Sequence, residues 1–149
     1  MRTHFNPKNN PRVIIIQKLY GKFFNEDVDL EFPKHRFKKF IKDIVLGTIE
    51  RNELILTELD SKFGNEFIFE NFDKVFQVIL KAATYEFLYK PNVSINIIIK
   101  EYLNSSNFFL DDSQTKYLNA LLDNIGKKLR SKNAWIPINQ EIFFYDFKK

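Results

Sequence analysis

Two short stretches of this sequence combine cations with an aromatic ring, and they are where the chain could do chemistry. The first runs through Arg2, Lys8, Arg12 and Lys18 to Tyr20; the second is Lys116-Tyr117. Lysine and arginine match phosphate oxygens, and a tyrosine offers a flat face on which an unpaired base can stack, so the pairing suits single-stranded RNA. It works only if the fold brings both stretches to one outward face. Taken singly, each lysine serves solubility equally well, and Tyr20 and Tyr117 could be core rings that show only their hydroxyls.

Residues for catalysis are present but not grouped. His4 and His35 are far apart, one near the start and one in a Pro-Lys-His-Arg loop. The acidic groups Glu26-Asp27-Asp29-Glu31 and Asp111-Asp112 have no His or Cys beside them, and loop solvation or helix capping accounts for them without a metal. Gly21, Gly47, Gly64 and Gly126 are isolated, so no glycine-rich phosphate loop exists, and no serine sits in a nucleophile-elbow motif. The chain has no cysteine, hence no disulfide framework, thiolate nucleophile or thiolate metal site. The expectation is a protein that binds and does not catalyse, with no cofactor and no metal.

The elements that must position these residues come from a chain of 149 residues, a length that suits one domain. Hydrophobic residues make up 44%, with 17 Phe and 6 Tyr, enough to bury a sizeable core. The formal charge of +4 is compatible with a polyanionic partner without requiring one. Apolar runs such as Val13–Ile16 and Ile97–Ile99 fall far short of the roughly 20 residues of a membrane span, and the polar start lacks a signal-peptide pattern. A soluble, cytoplasmic protein is expected.

Residues 1–10 read as a flexible, weakly basic arm. Pro11, after Asn9 and Asn10 as caps, opens a helix whose stripe is Ile16, Leu19, Tyr20 and Phe23, with Arg12, Lys18 and Lys22 around the remaining face. A long pattern from Lys34 to Phe63 divides naturally into two helices, stopped at Gly64-Asn65. Asn71 or Asp73 opens the next, through Phe72, Phe76, Ile79, Ala83 and Phe87 to the break at Pro91-Asn92. Ser94 caps a shorter helix ended by Asn104-Ser105-Ser106-Asn107, and Asp111 or Asp112 begins a last strong one over Tyr117, Leu118, Leu121, Leu122, Ile125 and Leu129. Residues 131–149, with Trp135, Phe143, Phe144, Tyr145 and Phe147, lose the helical period but are too aromatic for a linker. They are expected to fold back on the body, with a short helix near Gln140–Tyr145. The fold class is all-α, with about six to seven helices in one body spanning 11–130.

In order and spacing, four pieces resemble the NusB family of bacterial transcription antitermination proteins. They are Arg12 with Gln17, Leu19 and Tyr20; Val75 to Leu88; Asn92-Val93-Ser94 leading to Glu101; and Lys116 to Asp123. The likeness covers Arg12 to Arg130. It implies an all-helical body of two small bundles that binds the boxA segment of ribosomal RNA leaders together with NusE, a small-subunit ribosomal protein. The RNA polymerase complex would be an indirect partner. It implies no catalysis. Lys8 and Arg12 match cations of the family's basic N-terminal motif, Tyr20 matches its Leu-Tyr tyrosine, and Lys116-Tyr117 match its Lys-Phe pair near the RNA. Lys18 joins the RNA-binding candidates from the residues alone.

The chain departs from the family pattern at Asn9 and Asn10, where consecutive arginines are usual, at Lys100, at Ala120, at Phe76 in a commonly acidic position, and beyond Arg130. Fewer cations in the arm mean fewer phosphate contacts. The competing reading is therefore a helical protein-interaction module with weak or lost RNA binding. A detached helical domain of an RNA methyltransferase is disfavoured, because the chain has no room for the catalytic domain.

Overall fold

Asn10 starts the fold. Its side-chain oxygen accepts from the backbone N–H groups of Arg12 (2.9 Å) and Val13 (3.0 Å), which would otherwise be orphans of the first helical turn. With Pro11 in the first turn this sets α1, Pro11–Phe24. The structure is a computed structural model that describes residues 9–25, 30–63 and 69–130. Through them run five more α-helices: α2 (Lys38–Glu50), α3 (Asn52–Phe63), α4 (Lys74–Tyr89), α5 (Ile95–Ser106) and α6 (Asp112–Leu129), with a 3-10 turn at Phe69–Asn71. The all-α expectation holds, and the 34–63 pattern is two helices, separated at Arg51.

α4 is the axis of the molecule. Val78 to Tyr89 are all buried, so this helix is enclosed on every side. α1, α2 and α3 pack on it as one cluster, and α5 and α6 pack on it and on each other as the second. The shared apolar core includes Ile15, Ile16 and Leu19 from α1, Ile44 from α2, Ile55 and Leu59 from α3, Ile98 and Tyr102 from α5, and Leu118, Leu122, Ile125 and Leu129 from α6. Lys81 of α4 is also enclosed, its ammonium 3.8 Å from the centre of the Phe23 ring, and burial pulls its pKa below the ordinary lysine value.

Three more helix ends are closed by side chains. Ser94 accepts from the Ile97 N–H at 3.2 Å and starts α5. Asp111 and Gln114 form a reciprocal capping box that starts α6, with Gln114 N–H to Asp111 at 2.7 Å and Asp111 N–H to Gln114 at 3.1 Å. The end of α4 is closed from outside by Arg130. Its guanidinium donates to the carbonyls of Glu86 (3.2 Å), Phe87 (2.9 Å), Lys90 (2.8 Å) and Val93 (2.5 Å). A cation there meets the carbonyls of the last turn and of the segment after it, two of which also accept a backbone N–H, and the negative end of the helix dipole. The arm before Asn9, the stop at Gly64-Asn65 and the aromatic stretch 131–149 lie outside the described residues.

Candidate nucleic-acid interface

The first turn of α4 separates the two tyrosines singled out by sequence. On one side of it Tyr20, 39% exposed, forms a shallow cleft of about 260 Å³ with Ile16, Gln17, Val75 and Phe109. On the other side Tyr117, 53% exposed, stacks on Phe76 at 5.7 Å between ring centres and meets Phe72 at 5.9 Å. Val75 and Phe76 are neighbours in sequence, so the two rings flank one helical turn. A hydrogen bond of 2.8 Å from Gln114 to Asp73 holds the start of α6 against the start of α4.

Cations border this face. Lys116 is exposed beside Tyr117. Lys74 is exposed in the same turn of α4, its ammonium 5.1 Å from the centre of the Phe24 ring, which itself meets Tyr20 at 5.3 Å. Sequence reading missed Lys74. Its signal is position: it directly precedes Val75-Phe76, at a helix start whose exposed residues border the rings. Lys18 is half-buried and lies roughly 160° around α1 from Tyr20, at about 100° per residue, so the fold does not bring these two together. Lys8 lies outside the described residues.

Arg12 is elsewhere again. Sequence reading put it among the cations on the outer side of α1; the structure buries it, with 9% exposure. Its Nε and one terminal nitrogen donate to both carboxylate oxygens of Glu86, at 3.1 and 2.6 Å. Glu86 is fully buried and also accepts from the Tyr102 hydroxyl. The guanidinium lies 5.0 Å from the centre of the Phe40 ring and 5.3 Å from that of Tyr102, and Glu101 approaches to 3.9 Å. Burial by itself would pull the Arg12 pKa down, but the acidic groups of Tyr102, Glu86 and Glu101 outweigh it and hold the guanidinium above its ordinary value. Burial, with the neighbouring carboxylate of Glu86, pushes the Tyr102 hydroxyl well above its own.

The signal for this cluster was in the spacing. Arg12 stands four residues before Ile16 and seven before Leu19, in line with the apolar stripe, and Glu86 stands seven after Ile79 and three after Ala83. A cation and an anion on two apolar stripes are candidates for pairing with each other. The pair ties α1 to α4, and Tyr102 adds α5. Asn10 adds a second tie through Ser105, whose hydroxyl lies 3.0 Å from its side-chain oxygen and shares its one proton between that oxygen and the Glu101 carbonyl at 2.8 Å. The start of α1 is thereby fixed at the junction of α1, α4 and α5.

Among the described residues no three His, Cys, Asp or Glu side chains gather as a metal site, and no helix is long and apolar enough to cross a membrane. The molecule is thus an all-helical body with a central buried helix and an open face of rings and cations. The model of the NusB family matches residues 9–127, and the chain belongs to that family. NusB-family proteins are not enzymes.

Relatives named transcription antitermination protein NusB include those of Sphingopyxis alaskensis, Maricaulis maris and Rhizobium rhizogenes. The first is 31% identical over 93 residues, covering 62% of this chain and 62% of the relative. The second is 26% identical over 136 residues, covering 80% and 85%, and the third 28% over 144 residues, covering 85% and 90%. The chain thus spans just under two thirds of the first relative and most of the other two.

Proposed function

We propose that the protein acts in transcription antitermination by binding a boxA-like single-stranded RNA of ribosomal leaders together with the ribosomal protein NusE, beside the transcribing polymerase. The observation that carries this reading is the pair of exposed rings, Tyr20 and Tyr117, on either side of one turn of α4 in a NusB-family body. Each ring can stack on an unpaired base, and the exposed Lys116 and Lys74 can meet phosphate oxygens. In this reading Lys8 contacts phosphate from the arm. Arg12 acts through the start of α1, because its donors are occupied by Glu86. Lys18 contributes charge from another side of α1.

Titration of boxA-like RNA and NusE, separately and together at controlled salt, tests the proposal. A ternary complex tighter than either binary one is expected, and its absence at moderate salt overturns the reading. The burial of Arg12, together with Asn9 and Asn10, favours a second reading, a protein-interaction module with weak or lost RNA binding. That reading requires NusE capture to be unchanged by ribonuclease.

A further inference from the structure

At the other end of α4, roughly 20 Å along its axis from Lys74, a second groove of about 530 Å³ lies between α2 and α4. Its volume is that of a ligand-sized cleft, about 300–1,000 Å³. The floor is apolar: Leu46 is 43% exposed there, and the largely buried rings of Tyr85 and Tyr89 stack at 4.9 Å, Tyr85 lying against Gly47. Gly47 is required by this approach, since a Cβ at that position would stand 2.3 Å from the Tyr85 ring. The rim is positive. Asp43 is paired with Lys90 and accepts from Tyr85 at 2.9 Å, and Glu50 is paired with Arg51 at 3.2 Å. Lys39 and Lys42 are exposed and have no anionic partner among the described residues.

We propose that this groove seats the chain's own segment Glu141–Phe147. Three observations point to that occupant. The described body ends beside the groove, because Arg130 donates to the carbonyl of Lys90, itself a groove residue. The ten residues from Ser131 to Gln140 can span about 33 Å, more than the length of α4, so reach is no obstacle. The segment's chemistry is the complement of the groove: Ile142, Phe143, Phe144, Tyr145 and Phe147 for the apolar floor, Glu141 and Asp146 for Lys39 and Lys42. A phosphate-bearing ligand would use the lysines but leave the exposed Leu46 unmatched.

The absence of cysteine from the sequence allows a nitroxide to be attached at one chosen position of the full chain. Asn92→Cys places it beside Lys90 without touching the lining, and Ser113→Cys places it at the far end of α6, roughly 25 Å from Arg130 along the helix. Amide signals of residues 143–147 should be lost with the label at position 92, persist with the label at 113, and return when Lys39 and Lys42 are both changed to Glu. Persistence of those signals beside position 92, or their loss surviving the charge reversal, overturns the proposal. So does signal loss when labelled chains are mixed with isotope-enriched unlabelled ones, which would make a second copy the occupant.

Discussion

Arg12 with Tyr102 and Lys116 with Tyr117 are the same pairing of a cation and a phenol, set in opposite surroundings. Around the first, α1, α4 and α5 close with Phe40 of α2, and a buried carboxylate, Glu86, takes both the guanidinium and the hydroxyl. Around the second nothing closes: the ring rests on Phe76 with half its surface in solvent, and Lys116 is exposed. Residue type therefore does not decide which pairing can meet a ligand. The position of one acid does, because a buried carboxylate requires partners from its own protein.

The largest effect should come from removing that acid. Glu86→Ala leaves Arg12 buried without its counter-charge and is expected to cost about 3–5 kcal/mol in urea unfolding. A loss below about 1 kcal/mol would mean that the two pairings are energetically alike and that the comparison fails. Tyr102→Phe keeps the ring but removes the hydrogen bond to a charged group, for an expected cost of about 1.5–3 kcal/mol near neutrality. The raised Tyr102 pKa gives that cost a pH signature. The unfolded hydroxyl loses its proton above about pH 10 while the folded one keeps it, so the stabilisation is intact below pH 10 and declines as pH rises further. The stability gap between the parent protein and Tyr102→Phe should narrow as pH rises above about 10.

The helix starts with local side-chain chemistry were legible in the sequence. Asn10, Ser94 and Asp111 each satisfy an N–H two or three residues ahead, and no distant contact is needed to recognise them. The start of α2 was less so. The Phe37 N–H is taken by the His35 ring at 2.8 Å while the other ring nitrogen bonds the Asn9 carbonyl at 2.8 Å, so the turn outlasts the apolar period and the helix begins at Lys38. The polar run Asn104-Ser105-Ser106 reads as a stop, yet α5 continues to Ser106, because the two serine hydroxyls return to the carbonyls of Glu101 (2.8 Å) and Leu103 (2.9 Å). Of the candidate face, the exposure of Tyr20 and Tyr117 was not readable, since both lie on apolar stripes that continue into the core. Whether such a ring is covered depends on which helix crosses it, and that is a property of the packed molecule.

The open face should respond to the reverse set of measurements. Tyr117→Ala is expected to weaken boxA-like RNA binding by about 1–3 kcal/mol through lost stacking. Its effect on stability should be limited to the aromatic contacts with Phe76 and Phe72, about 0.5–1.5 kcal/mol each. If stability fell by more than binding did, Tyr117 would belong with Tyr102 as a structural ring.

The finest distinction concerns the cations, and salt dependence resolves it. For single strands each neutralised phosphate contributes about 0.7 to the slope of log affinity against log salt. Lys116→Gln and Lys74→Gln should therefore each lower that slope by about 0.7, with RNA affinity measured at several salt concentrations. Lys18, turned roughly 160° from Tyr20, should lower it by clearly less when changed to Gln. An equal decrease from Lys18 would require the strand to pass around α1, and the face between Tyr20 and Tyr117 would then be only one edge of the bound path.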